Sequence, residues 1–179
     1  IGIQSHMHGG VWSNAKIWEV CQRFARFNSP LHFTETTVLS GKLGWQLARS
    51  DQPWSSTPEG ERRQAEDVVR FYTMLFSHPA VTAITWWDLS DRNAWQRAPA
   101  GLLRSDLSPK PAYDRLLDLV KKQWWTRVQF RTDAQGHARF RGFLGDYVLR
   151  VHDANGREVE VSATLRKDSA NAIPIPLAD

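Results

Sequence analysis

Cysteine is almost absent from this chain: Cys21 is the single one among 179 residues, which excludes an internal disulfide and a cysteine-built metal site. Its place on the apolar face of an expected helix makes it a buried core thiol rather than a nucleophile. No run is long and apolar enough to cross a membrane as a helix, and no signal-like leader is present, so no membrane partner is expected. A one-signed charge block is also missing. Residues 123–179 hold eight Lys/Arg against seven Asp/Glu and residues 1–122 fifteen against twelve, so neither part offers the basic patch that nucleic acid requires. There is no glycine-rich phosphate loop, no dinucleotide fingerprint and no evident internal repeat, so a nucleotide cofactor is not expected. The chain opens on Ile1-Gly2-Ile3-Gln4, already strand-like and without a methionine, which suggests a piece of a longer protein.

Tryptophan, by contrast, is abundant, with nine residues in a class where Leu, Ala and Gly normally dominate. Ile1 to His8 reads as a strand whose Gln4, His6 and His8 share one face by the two-residue period. Ser13-Asn14 can cap a helix over about 14–27, with Ile17, Val20, Cys21, Phe24 and Phe27 at helical spacing. Pro30 to Gly41 is β-branched and aromatic and carries Glu35, a carboxylate in an otherwise buried-looking strand. A connection without clear period, residues 41–56, holds Trp45 and Trp54. Thr57-Pro58 then opens a second helix with Ala65, Val68, Val69, Tyr72, Leu75 and Phe76 as its expected apolar side. Val81 to Asp88 is a third strand ending in Trp86-Trp87-Asp88. A last helix over 111–122 should bury Tyr113, Leu116, Leu117 and Val120.

Three strand, loop, helix units imply parallel strands, as in part of an eight-fold βα barrel, whose site lies on the loops beyond the strand C-termini. Gln4, His6, His8, Glu35, Trp87 and Asp88 would collect there. After Lys122 the pattern changes to short alternating runs with turns at 133–136, 145–146 and 155–156, read as a meander of about five strands with Val128, Phe130, Phe140, Phe143, Tyr147, Leu149 and Val151 inside. The expected architecture is therefore α/β: a partial (β/α)8 barrel over residues 1–122, followed by a small all-β, sandwich-like module over 123–179.

Glu35 and His6 can meet at neighbouring strand ends, the imidazole donating to the carboxylate and keeping it oriented for attack. A purely structural pair is the plainer alternative. His6-x-His8 with Glu35 also permits a zinc site, with Asp88 as the only further ligand candidate; the favoured reading has no metal and no cofactor. Trp45, Trp54, Trp87 and Trp95 lie in the loops beyond the strands, where indole faces suit the C–H face of a pyranose.

Gly2-Ile3-Gln4-Ser5-His6, Phe33-Thr34-Glu35, Thr85-Trp86-Trp87-Asp88-Leu89-Ser90-Asp91 with Trp95, and Pro109-Lys110-Pro111-Ala112-Tyr113, in that order, resemble the sixth strand, seventh strand, eighth strand and last helix of glycoside hydrolase family 10 xylanases. The resemblance implies a retaining endo-β-1,4-xylanase with Glu35 as nucleophile and His6 as its orienting partner. Gln4, His8, Trp45, Trp54, Trp87 and Trp95 are the expected substrate contacts, with Trp87 and Trp95 walling the bond-breaking subsite. A xylan-type polysaccharide is then the partner, an extracellular or periplasmic location is implied, and a monomer is expected. The acid/base glutamate belongs to the family's fourth strand, which this chain lacks, so these 179 residues alone are expected to be inactive. Thr37 stands where the family usually has an aspartate. The competing reading is a carbohydrate-binding or scaffold protein that keeps the groove without catalysis, and a metal-dependent hydrolase comes third. The C-terminal segment resembles carboxypeptidase-regulatory or transthyretin-like β modules, which suggests an accessory role.

Overall fold

A computed structural model describes residues 1–179 except Gln52, Ala154, Asp168, Ala170 and 176–179. Its elements run β1 (Gly2–Met7), α1 (Asn14–Ala25), β2 (Leu31–Val38), α2 (Pro58–Phe76), β3 (Val81–Trp86), α3 (Pro111–Asp118), β4 (Gly145–His152) and β5 (Glu158–Leu165). They form two compact units, Ile1–Val120 and Lys121–Asp179, a boundary two residues earlier than the sequence suggested.

In the first unit β1, β2 and β3 make a parallel sheet in chain order. Each helix starts where its sequence calls for it. Ser13 accepts a hydrogen bond from the Lys16 amide and Thr57 from the Gly60 amide, and Pro58 and Pro111 occupy first helical turns that need no amide donor. The core lies between the sheet and its helices: Ile17 and Cys21 of α1, Leu31 and Phe33 of β2, and Val68, Phe71 and Leu75 of α2 are all fully buried. Burial of such side chains contributes roughly 1.5–3 kcal/mol each. The Cys21 thiol is pushed up to about 11 by this burial, which makes it inert at neutral pH.

Several expectations shift by a residue or two. Helix α1 ends at Ala25, which leaves Phe27 beyond it and 56% exposed. On α2, Phe71 joins the expected Tyr72 as a buried aromatic, while Phe76 faces water. Helix α3 buries Ala112, Leu116 and Leu119 while Leu117 and Val120 are exposed; its inward stripe runs through small Ala112, which a search for large apolar residues passes over.

The second unit departs further. Among its described residues only two strands form, β4 and β5, paired antiparallel from Gly145↔Leu165 to His152↔Glu158. Residues 127–132, 137–143 and 172–175 are not strands, and 176–177, the end of the fifth expected run, fall outside the described residues. None of the described residues of this unit is buried. Val128, Phe130 and Phe143 are exposed rather than core, although Phe130, Phe140 and Tyr147 do stack in series. The alternation seen in the sequence thus comes without the second layer that would make it a sandwich. A short repeat also emerges. The same hydrogen bonds recur among Asp133, Gln135, Gly136 and His137 and among Asp153, Asn155, Gly156 and Arg157. In each, the aspartate Oδ1 accepts from the amides two and four residues on, the first and last residues pair, and the glycine has φ near +80°. The turn joining β4 and β5 is therefore an aspartate-anchored loop rather than the two-residue turn read from Asn155-Gly156.

Candidate active site

The two-residue period of β2 would carry Glu35 to the same side as Leu31 and Phe33, against the helices. A bulge prevents this. Ile3 pairs with Phe33 but Gln4 pairs with Glu35, and on the other edge Phe33 pairs with Ile84 and Thr36 with Trp86, so β2 holds one extra residue against both neighbours. A bulge of this kind re-aims the following side chains. Here it turns Thr36 to the helix side, fully buried and bonded to Ser5 Oγ at 3.0 Å, and brings Glu35 and Thr37 to the side of Gln4 and His6.

Glu35 is then held from two directions. Gln4 Nε2 donates to Oε1 at 2.9 Å and His6 Nε2 lies 2.8 Å from Oε2. On the other side of the imidazole, Nδ1 is 2.8 Å from Thr37 Oγ1. An ionised carboxylate only accepts, so His6 carries its proton on Nε2, and in the neutral ring the Thr37 hydroxyl donates to Nδ1. A hydroxyl can equally accept from Nδ1–H when the ring is charged, so Thr37 serves both states. The Glu35 side chain retains 21% exposure and that of His6 11%, which leaves the carboxylate fixed yet reachable.

Tryptophans surround this pair unequally. Trp95 lies tilted over His6 with ring centres 4.7 Å apart and Trp87 meets it edge-on at 5.8 Å; both are well exposed. Trp86 points the other way, toward Tyr72, with its indole N–H on the Ala100 carbonyl. Trp54 is a packing residue: it lies against Leu39, Ala98 and Ala100 and donates to the Lys42 carbonyl at 2.9 Å. Trp45, in a single turn of 3-10 helix over Trp45–Arg49, is 47% exposed and stacks on His8 at 4.1 Å.

His8 lies one residue beyond β1 and is completely buried, boxed by Trp45, Trp54 and Trp95, with neither ring nitrogen hydrogen-bonded. It thus presents no surface for the sugar contact the period suggested. Burial, reinforced by nearby His6, lowers its pKa to about 4. The zinc reading fails on the same geometry. Both nitrogens of His6 are taken, His8 is 6.4 Å away ring to ring, and no three His, Cys, Asp or Glu among the described residues are placed to share an ion. Asp88 accepts from the Trp95 amide and its other oxygen is buried without a partner; burial raises its pKa, opposed by that amide bond and by His6.

A second polar cluster, which the sequence did not suggest, lies behind the loops. Lys110 is fully buried, its Nζ 2.8 Å from Ser40 Oγ and 2.7 Å from Asp91. Ser40 and Ser56 share a hydrogen bond, Ser56 donates to Asp91, and Asp91 accepts from the Gly101 amide. A side chain at Gly101 would collide with the Ser90 and Asp91 backbone. This knot joins the loops that carry the tryptophans.

Against known proteins, residues 1–119 match the model of glycosyl hydrolase family 10. The chain is 34% identical over 97 residues to the anti-sigma-I factor RsgI6 of Acetivibrio thermocellus and 25% identical over 182 residues to endo-1,4-beta-xylanase 1 of Arabidopsis thaliana. These alignments cover 54% and 99% of this chain but only 12% and 16% of the relatives. Among solved structures, xylanase 10B of Thermotoga petrophila RKU-1, in complex with xylobiose, superposes with a TM-score of 0.56 at 24% identity, over 69% of this chain and 36% of that one. Xylanase B of Clostridium stercorarium F9 gives 0.54 at 21% identity, over 65% and 36%. The likeness of fold extends the parallel three-stranded sheet into part of a TIM barrel. With the family model covering well over half of its length, this chain belongs to glycosyl hydrolase family 10.

Proposed function

We propose that the protein carrying this chain hydrolyses internal β-1,4 bonds of xylan with retention of configuration, and that Glu35 is its nucleophile. The observation that carries the reading is Glu35 itself, held by Gln4 and His6 on the bare face of the sheet and left partly exposed. A carboxylate fixed by two donors is oriented for in-line attack on an anomeric carbon. Trp87 and Trp95 beside His6 supply aromatic walls for the sugar at the cleaved bond. His6 positions the nucleophile and Thr37 positions His6.

Retaining hydrolysis requires a second carboxyl group about 5–5.5 Å from the nucleophile, first acid and then base. No residue of this chain is assigned that role; the family resemblance puts it on a strand outside these residues. The 179 residues by themselves are therefore expected to be inactive, and cleavage of xylo-oligosaccharides by the purified chain would contradict this. A polymeric substrate also suits an enzyme acting outside the cytoplasm.

The full-length protein should release reducing ends from xylan, with the first-formed product in the β configuration by proton NMR. Glu35→Ala should abolish this. Wild-type turnover by that variant, or an inverted product, would overturn the assignment. A second reading, a carbohydrate-binding protein without catalysis, draws on the relative that is named an anti-sigma-I factor rather than an enzyme. Xylan binding by a folded full-length protein that releases no reducing ends would favour it.

A further inference from the structure

The loop that carries Trp95 is strained. Asn93, Gln96 and Arg97 hold positive φ of 59°, 56° and 55°, so three of the five residues 93–97 stand in a conformation that side-chain-bearing residues adopt at a cost. Such strain persists only where the surroundings fix the backbone from several sides. Here the Arg97 side chain donates to the Ser50 carbonyl at 3.1 Å, the Ala94 amide to the Asp91 carbonyl at 3.4 Å, and the Trp95 amide to Asp88 Oδ1 at 3.2 Å. The last of these holds the residue whose ring covers His6. The ring itself meets His6 at 4.7 Å and His8 at 5.7 Å, and aromatic contacts hold over a broad range of offset. Where the indole sits therefore depends on the backbone behind it.

Asp88 is itself referenced to the strand that carries Glu35. It follows directly on Trp87, whose amide donates to the Thr36 carbonyl of β2 at 3.0 Å. It makes its bond to Trp95 at a cost, because Oδ2 is buried without a partner. A buried acceptor left unsatisfied weakens a fold and calls for an explanation beyond packing. We propose that Asp88 is a positioning residue for the reaction: by holding the Trp95 amide it sets the indole over His6, in register with the carboxylate that His6 orients. Asp88 acts through Trp95 and touches no substrate. The same end of β2 then fixes both tryptophans, Trp87 through its own amide and Trp95 through the Asp88 side chain. The inference rests on the proposed function, because it takes Glu35 to react beside these rings.

The test is hydrolysis of xylo-oligosaccharides by the full-length protein and its variants. Asp88→Ala should lower kcat/KM about ten-fold, the size of one hydrogen bond, and Asp88→Asn, which keeps an acceptor oxygen, should restore most of that loss. Trp95→Ala removes the group being positioned, so adding Asp88→Ala to it should cost less than about two-fold more. A loss as large in the Trp95→Ala background as in the parent, or Asp88→Asn no better than Asp88→Ala, overturns this inference and leaves the proposed function standing. The anchor is also read without turnover, by amide hydrogen exchange across residues 93–97. Exchange there should quicken in Asp88→Ala and return toward the parent rate in Asp88→Asn; an unchanged rate in Asp88→Ala overturns the inference whatever the kinetics. A folded parent protein that releases no reducing ends overturns both.

Discussion

Two polar clusters of the first unit illustrate opposite uses of charge. Around Glu35 the carboxylate, imidazole, amide and hydroxyl are only partly covered, and each hydrogen bond orients the next group toward an open face. Around Lys110 the ammonium, carboxylate and two serines are withdrawn from water and bonded to one another and to loop backbone. The first arrangement fixes a carboxylate while leaving it reachable from solvent. The second turns a costly buried ion pair into a fastening, because the partners come from different loops and satisfy each other only when those loops are in place. Burial lowers the pKa of Lys110 and the bond to Asp91 works against that fall. A buried charge is therefore no mark of catalysis by itself; what separates the two clusters is access.

Substitutions should separate them in the same way. Glu35→Gln should cut xylan turnover by the full-length protein on the order of ten-thousand-fold, the scale of a lost nucleophile, while urea unfolding of the variant stays close to wild type. Parallel losses of activity and stability would erase the distinction. Lys110→Met should do the reverse, lowering unfolding free energy by about 3–5 kcal/mol because Asp91 is left buried and unpaired. The double variant with Asp91→Asn should recover part of that loss, and full stability in the single variant would show that the knot fastens nothing.

His8 tests a third case, a buried base with no partner. The unfolded chain protonates it near pH 6.5 and the folded chain near 4. Between those values the unfolded state holds more protons, so stability falls as the pH is lowered from about 6.5 toward 4, by up to roughly 3 kcal/mol. Burial also lowers His78, which adds a slope of the same sign, so the difference between wild type and His8→Phe isolates the effect. Identical pH profiles would remove it. The smallest change is expected from Thr37→Val. Loss of one hydrogen bond to His6 should lower kcat/KM about ten-fold, with Thr37→Ser restoring it.

Much of the first unit was legible from residues alone. Proline at the first helical turn, Ser13 and Thr57 at the caps, and β-branched runs ended by polar residues located three strands and three helices to within a few positions. Glu35, His6, Trp87 and Trp95 were legible as neighbours, because polar groups collected at the C-terminal ends of strands. Trp54 and His8 were not. Both lie in the same stretches as other candidate site residues, and only packing reveals that one props a loop and the other fills a box. Lys110 and Ser40 carried no signal, since their partners are as far as seventy positions apart. Among the described residues of 121–179 alternation was real but no second layer receives it, and two of the expected strands form.

The sequence by itself determined the order of strands and helices, the residues able to do acid, base and stacking chemistry, and the family they resemble, because caps, periods and short motifs are local. The tertiary structure alone decided which face Glu35 occupies. One extra residue in β2, Thr34 as counted against β1 and one between Phe33 and Thr36 as counted against β3, turns the carboxylate from the packed side of β2 to the side of Gln4 and His6. Register is a relation between strands, and no single strand contains it.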